Sequence, residues 1–355
     1  MKCGPGYLFI LIALLAVSSP GVEAETRPNF VLILCDDLGF SDIGCYGGEI
    51  ETPNLDQLAA EGLRFSQFYN TAVCVTTRAA LYTGLYPRQG KGGLLRENMV
   101  TLGEVLREAG YATAMTGKWH LGSEPAKQPI HRGFDEYYGL LDGCSSFFKP
   151  SKPDPDFYNG GKVRTFAHNE KVNITEFPED YYATDAFTDH AVETIQRFAA
   201  QEKPFFLNLN YTAPHFPLHA RPEDIEKYRG KYSEGYEPLR KRRHQRLIEL
   251  GLIDPETKLS AVESPRGTFR HDYEVVPWDE LDPETRAREE ARMEVYAAMV
   301  DRMDQGIGKV LEAIRKSGVE DDTIVFFLSD NGGCASWPSP AKEAGFFDYN
   351  RDIPV

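Results

Sequence analysis

Asn29-Phe30-Val31-Leu32-Ile33-Leu34-Cys35-Asp36-Asp37 decides the fold, because an uninterrupted apolar run stops abruptly at two aspartates. A run that is apolar at every position reads as a short strand buried on both faces. Three further runs of this kind follow, at residues 112–116, 205–210 and 323–328. Helical patterns lie between them. Thr52 as the cap and Pro53 in the first turn open one that Gly62 ends, and Thr101 with Glu104 forms a capping box before a segment that ends at Gly110. Residues 184–200 carry Val192, Ile195, Phe198 and Ala199 on one face, and residues 283–317 carry Met293, Tyr296, Val300, Met303, Ile307, Val310 and Ile314. Strands alternating with helices predict an α/β fold with a mostly parallel central sheet and helices on both faces. Residues 221–282 are polar, charged and broken by Pro and Gly, and read as an insertion packed on that sheet.

The first 24 residues read separately. Lys2 precedes an apolar stretch at 7–17, and Val22-Glu23-Ala24 supplies small residues at a cleavage position, the pattern of a secretory signal peptide. The stretch is shorter than the ~20 residues that span a bilayer, so stable membrane insertion is not expected. The expected location is secreted or periplasmic, or lysosomal or extracellular in a eukaryote. The net charge of −15 argues against a nucleic-acid partner. Arg240-Lys241-Arg242-Arg243 reads as a solvated helix face within the insertion. Six cysteines fall to five once Cys3 leaves with the signal, so at least one thiol cannot pair within the chain.

In an open parallel sheet, ligands gather beyond the carboxyl ends of the strands. The residues there are Asp36-Asp37, Gly117-Lys118-Trp119-His120, Tyr211-Thr212-Ala213-Pro214-His215 and Asp330-Asn331-Gly332-Gly333. Asp36, Asp37, Asp330 and Asn331 offer hard oxygen ligands, which suit Ca²⁺ or Mg²⁺. Either pair alone reads better as a cap or turn; together, at matching strand ends, they read as one metal site. Cys74 stands where a loop passes into a helix that runs to Gly84, with Arg78 one turn on. That position suits a group that meets an anion, although a lone cysteine also serves as a small core residue. His120 and His215 likewise read either as structural residues or as proton carriers.

These segments, with Thr52-Pro53-Asn54-Leu55-Asp56, the 74–84 run followed by Tyr86-Pro87, Gly117-Lys118-Trp119-His120-Leu121-Gly122, Ala213-Pro214-His215 and Ser329-Asp330-Asn331-Gly332, resemble the arylsulfatase-type sulfatases of the alkaline phosphatase superfamily, in order, from about residue 27 to 333. The resemblance implies an alkaline-phosphatase-like N-terminal catalytic domain over 25–355 and hydrolysis of aryl or carbohydrate sulfate esters. It implies that a formylglycine-generating enzyme converts Cys74 to formylglycine, whose hydrate supplies the attacking oxygen. Asp36, Asp37, Asp330 and Asn331, with the modified Cys74, would hold Ca²⁺ in preference to Mg²⁺. Arg78 and Lys118 would stabilise developing charge, His120 would act as base, and His215 would bind the sulfate or protonate the leaving alcohol.

Two departures stand out. Thr76 occupies the place of the proline in the family's Cys-x-Pro-x-Arg signature, and the second substrate lysine, later strands and C-terminal subdomain of the family are not recognisable, so the domain reads as incomplete. Two other readings stay open: a phosphoric ester hydrolase using Thr76 or Thr77, and a non-catalytic remnant that binds sulfated glycans. Asn173-Ile174-Thr175 and Asn210-Tyr211-Thr212 match the glycosylation sequon, a pattern that also arises by chance.

Overall fold

The computed structural model describes residues 27–87, 89, 95–154, 159–201, 203–261 and 276–334, so the stretch read above as a signal peptide and residues 335–355 lie outside the described residues. The chain forms β1 (Asn29–Asp36), α1 (Pro53–Glu61), α2 (Cys74–Thr83), α3 (Leu102–Glu108), β2 (Ala112–Gly117), β3 (Glu136–Leu140), β4 (Phe166–His168), β5 (Lys171–Val172), α4 (Ala183–Ala199), β6 (Phe205–Pro214), α5 (Pro222–Tyr228), α6 (Tyr236–Glu249), α7 (Pro283–Lys316) and β7 (Thr323–Ser329). The sheet order is β5-β4-β3-β2-β6-β1-β7. β3, β2, β6, β1 and β7 are parallel, and the short β4 and β5 pair antiparallel at one edge.

All four expected strands form, and three more join them. β3 reads Glu-Tyr-Tyr-Gly-Leu, with a charge and a glycine inside it, while β4 and β5 are three and two residues long. None of these carries a hydrophobic period long enough to declare itself. β6 runs on to Pro214, so His215 follows the strand directly rather than standing in a loop.

Successive side chains of the central strands enter two separate cores, as the pleat requires. Val31, Ile33, Leu207 and Leu209 pack with α4 and α7 residues such as Ile195, Val300 and Ile307. Leu32, Met115 and Phe206 face the opposite way and pack with Ala79 and Tyr82 of α2. Helices therefore cover both faces.

The N-terminus of α1 is finished from a distance. Thr52 makes no side-chain cap; its hydroxyl accepts from Gly44 N at 2.9 Å. Asp304 of α7 takes the exposed amides instead, Leu55 N on Oδ1 at 2.8 Å and Asn54 N on Oδ2 at 3.1 Å. The Thr101–Glu104 capping box forms as expected. In the insertion, α5 packs on α7, and α6 carries the basic run. That run is only partly solvated: Arg242 is half exposed, but the Arg243 side chain is 15% exposed and paired with Asp42 and Glu49. Among the described residues, no helix is long and apolar enough to cross a membrane.

Candidate active site

Asp36 ends β1, Lys118 follows β2, His215 follows β6 and Asp330 follows β7. Because β2, β6, β1 and β7 are neighbours and parallel, their carboxyl ends open on one edge, and residues far apart in sequence become adjacent. Residue 74 reaches the same edge from another direction. α2 begins at Cys74, and Cys74, Arg78 and Tyr82 recur at intervals of four, which places them along one helix face.

Two buried ion pairs brace the cluster. Lys118 Nζ pairs with Asp36 Oδ2, and Arg78 contacts Asp330 Oδ2 through Nε and Nη2, both at 2.8 Å; all four side chains are wholly buried. Burial opposes the charge of Arg78 and Lys118, and the carboxylates of Asp330 and Asp36 overcome it, so both bases are held more firmly protonated than usual. Burial and the charge of Asp36 push the Asp330 carboxyl up to about 6. The Lys118 carbonyl is fixed as well, accepting from Arg78 Nη1 at 2.7 Å and Asn210 Nδ2 at 2.8 Å. Gly117 makes the turn feasible: its φ is 99°, and a Cβ there would sit 1.8 Å from the Asn210 carbonyl oxygen.

The histidines flank this core. His120 Nδ1 lies 3.3 Å from Cys74 Sγ. Gly143 leaves room for the ring, since a Cβ there would lie 2.7 Å from His120 Nε2. Burial, then the positive charges of Lys118 and Arg78, push His120 down to about 2, so the ring is neutral, and it would take up a proton only with added negative charge beside it. His215 Nδ1 donates to the Phe216 carbonyl at 2.6 Å, which turns Nε2 toward Asp37 Oδ2 at 3.5 Å. Burial raises the Cys74 pKa against the pull of Lys118, so the thiol stays protonated and is a poor nucleophile as it stands.

The donor set fits a hard divalent cation. Asp36, Asp37 and Asn331 each give one polar atom to a protein partner: Asp36 Oδ2 to Lys118, Asp37 Oδ1 to Asn331, and Asn331 Nδ2 as donor to Asp37. Each keeps a second buried oxygen, Asp36 Oδ1, Asp37 Oδ2 and Asn331 Oδ1, with no hydrogen-bond partner. Buried oxygens without donors are costly unless something else satisfies them. Candidate ligand atoms of Asp36, Cys74 and Asp330 lie within 4.8 Å of one another, as do those of Asp36, Asp37 and His215. Oxygen-rich ligation of this kind selects Ca²⁺ or Mg²⁺ over softer metals.

All nine expected site residues thus meet at one edge. The sequence reading missed the layer beneath them. Asn208 and Asn210 sit fully buried in β6, joined at 2.7 Å, and Asn210 Nδ2 also donates to Tyr82 Oη at 2.7 Å. Two asparagines on one face of an apolar strand were the available signal. The burial of Asn210 closes it to glycosylation in the folded chain, whereas Asn173 is exposed. Thr76 and Thr77 point elsewhere: Thr76 Oγ1 donates to Val73 O at 2.8 Å, and Thr71 Oγ1 lies 2.8 Å from Thr76 Oγ1 and 3.0 Å from Thr77 Oγ1. Both hydroxyls brace the loop before α2, and neither is available as a nucleophile in this arrangement. An apolar groove of about 850 Å³ between β7, α3 and residues 63–70 reaches Asn331, but not Cys74, Lys118 or either histidine.

Comparison with known proteins agrees with this geometry. The sulfatase family model matches residues 28–342. An uncharacterized sulfatase of Schizosaccharomyces pombe is 36% identical over 87% of this chain and 58% of its own length. An arylsulfatase of Klebsiella aerogenes is 33% identical over 90% of this chain and 69% of its own. An N-acetylgalactosamine-6-sulfatase of Canis lupus familiaris is 33% identical over 91% and 53%. Among solved structures, Ps i-CgsB superposes with a TM-score of 0.64 at 30% identity, covering 87% of this chain and 59% of that one. The chain therefore spans between about half and two-thirds of the relatives it matches, and over that span it belongs to the sulfatase family.

Proposed function

We propose that this chain is a sulfuric ester hydrolase acting on aryl or carbohydrate sulfates, with Cys74 converted to formylglycine and Ca²⁺ held by Asp36, Asp37, Asp330 and Asn331. One observation carries the reading: Cys74 opens α2 beside two buried cations, a neutral histidine and three buried oxygens that lack a donor. A protonated thiol in that place calls for chemical conversion before it can attack. The hydrated aldehyde would supply the attacking oxygen, and the cation would polarise the sulfate and hold the reacting groups together.

The remaining work belongs to this chain's own side chains. Asp36, Asp37 and Asp330 carry three negative charges against the two positive charges of Arg78 and Lys118. A divalent cation would bring the sum to a net positive charge, which attracts a sulfate monoanion into a water-poor site where electrostatics are strong. Arg78 and Lys118 cannot swing away, because both are fully buried and ion-paired, so their charge stays aimed where the transition state accumulates its own. His120, next to residue 74, accepts a proton from it; His215, on the Asp37 side, protonates the departing alcohol.

Carbohydrate sulfates are included because a second Ps i-CgsB structure, at 30% identity and TM-score 0.63, holds k-i-k-neocarrahexaose, and the Canis relative is an N-acetylgalactosamine-6-sulfatase. The expected maturation partner is a formylglycine-generating enzyme, and the signal-like segment at 1–24 implies secretion or periplasmic export. The test is co-expression with such an enzyme, mass spectrometry of the residue-74 peptide, and a panel of matched sulfate and phosphate esters. The expected result is an aldehyde at residue 74 with calcium-dependent sulfate release. An unmodified thiol with no turnover, or phosphate hydrolysis that survives Cys74→Ala, would sink the reading.

A further inference from the structure

We propose that Arg243 of α6 is a positioning residue for the cation ligands, acting through Asp42 on the loop that leaves β1 after Asp36 and carries Asp37. The inference rests on the reading of those carboxylates as cation ligands. Its starting point is a physical difficulty: clustered carboxylates repel one another, so the loop that presents them must be held from outside. Asp37 already has a left-handed backbone, with φ of 65°, uncommon for a residue with a side chain.

Asp42 supplies the inner half of the hold. Its Oδ2 accepts from Gly39 N at 2.8 Å, closing a turn directly after the ligand pair, and from Tyr296 Oη of α7 at 2.5 Å. Its Oδ1 accepts from Arg243 Nη1. The remaining donors of Arg243 make a forked pair with Glu49, Nε to Oε2 at 2.7 Å and Nη2 to Oε1 at 2.8 Å. One guanidinium thus ties both ends of the 42–49 segment, and Tyr232 Oη donates to Glu49 Oε1 at 3.0 Å from the far side. α6 buries none of its residues fully; Gly47 packs close against Arg246 and Leu247 of α6, and the ionic hold on the segment runs through Arg243. Arg240 and Arg242 bind Ser260 and Glu234 and do not share the task. The planar fork also explains why arginine stands here: lysine would keep the charge but could not bridge two carboxylates in this geometry.

The test is calcium titration by calorimetry of the chelator-stripped full chain, with amide hydrogen exchange over residues 37–42. Arg243→Gln is expected to weaken calcium binding about tenfold or more, as loss of a ligand-orienting partner does. It should also speed exchange at Leu38 and Gly39, and Arg243→Lys should recover only part of both losses. If Arg243→Gln lowers the melting temperature in chelator but leaves calcium affinity and local exchange unchanged, the residue is merely structural and the proposal is overturned. Asp37→Asn separates the two ideas. Where it loses calcium and Arg243→Gln does not, the positioning role alone fails; where the unaltered chain binds no calcium, the cation reading fails and takes this proposal with it. Should Arg243→Gln not fold, Tyr296→Phe, which deletes one hydroxyl on Asp42, carries the same expectation with a smaller effect.

Discussion

Two ionic clusters in this molecule differ in one respect that separates function from architecture. Where α4, α5 and α7 meet, every carboxylate oxygen has a donor. Arg302 grips both oxygens of Asp185 at 2.7 and 2.8 Å, and Arg221 adds a third contact at 2.9 Å. Asp224 receives Gln305 and Lys227 on Oδ1 and Arg302 on Oδ2, while Asp301 receives Gln305 on Oδ1 and Tyr228 on Oδ2. At the strand edge, Asp36, Asp37 and Asn331 each retain a buried oxygen with none. A satisfied network stabilises and orients helices; one left with buried oxygens lacking donors is open to a ligand, which is the proposed role of the strand-edge cluster.

The strongest way to break that contrast is at residue 74. Cys74→Ala should lower sulfate release on the order of 10⁴-fold, with little change in the urea midpoint. Survival of activity would remove the functional half of the comparison. Paired neutralisations come next. Asp185→Asn should destabilise by about 2 kcal/mol with or without calcium, because it strips a partner from Arg302 and Arg221. Asp37→Asn keeps the Asn331 hydrogen bond and relieves repulsion, so in chelator its stability should be unchanged or higher, while calcium protection disappears. Denaturant curves in calcium and in chelator distinguish them.

Acid titration gives a smaller and sharper separation. Burial pushes His190 and His219 down to about 4 from an ordinary 6.5, so between those values the unfolded chain binds more protons than the folded one. Their contribution is complete above pH 6.5 and is lost as pH falls toward 4. Asp185 is different: burial opposes its charge but Arg302 holds its carboxyl below the usual value, so that contribution is present above about 3.8 and lost only at lower pH. Urea midpoints at pH 7 and 5 should differ, and His190→Gln should narrow the gap. The least effect is expected from Thr101→Ala, about 1–2 kcal/mol by thermal unfolding, since it deletes a cap that accepts from Glu104 N at 3.1 Å and the same hydroxyl's donation to Arg132 O at 2.7 Å.

Much of the site was legible before folding was considered. Asp36, Lys118, His215 and Asp330 stand immediately after apolar runs, and a parallel sheet admits few places for such residues to go. Cys74, Arg78 and Tyr82 follow from helical spacing, though Tyr82 went unread because its partners, Asn208 and Asn210, lie on another element. The cap on α1 was misplaced for the same reason: Thr52 had the right chemistry nearby, but Asp304 holds the amides from 250 residues away. The basic run on α6 looked uniformly solvated because its charges are consecutive, and only the fold assigns Arg243 to Asp42 and Glu49 while leaving Arg242 outside.

The sequence by itself determined the α/β alternation, the parallel strands and the identity of the residues at their ends, because continuous apolar runs and capped helical periods are local properties of the chain. Only the tertiary structure decided which oxygens remain without donors, which cations are locked beneath them and which distant arginine steadies their loop. Those outcomes depend on pairings between groups hundreds of residues apart, and hydrogen-bond geometry does not exist until the sheet has brought them within reach.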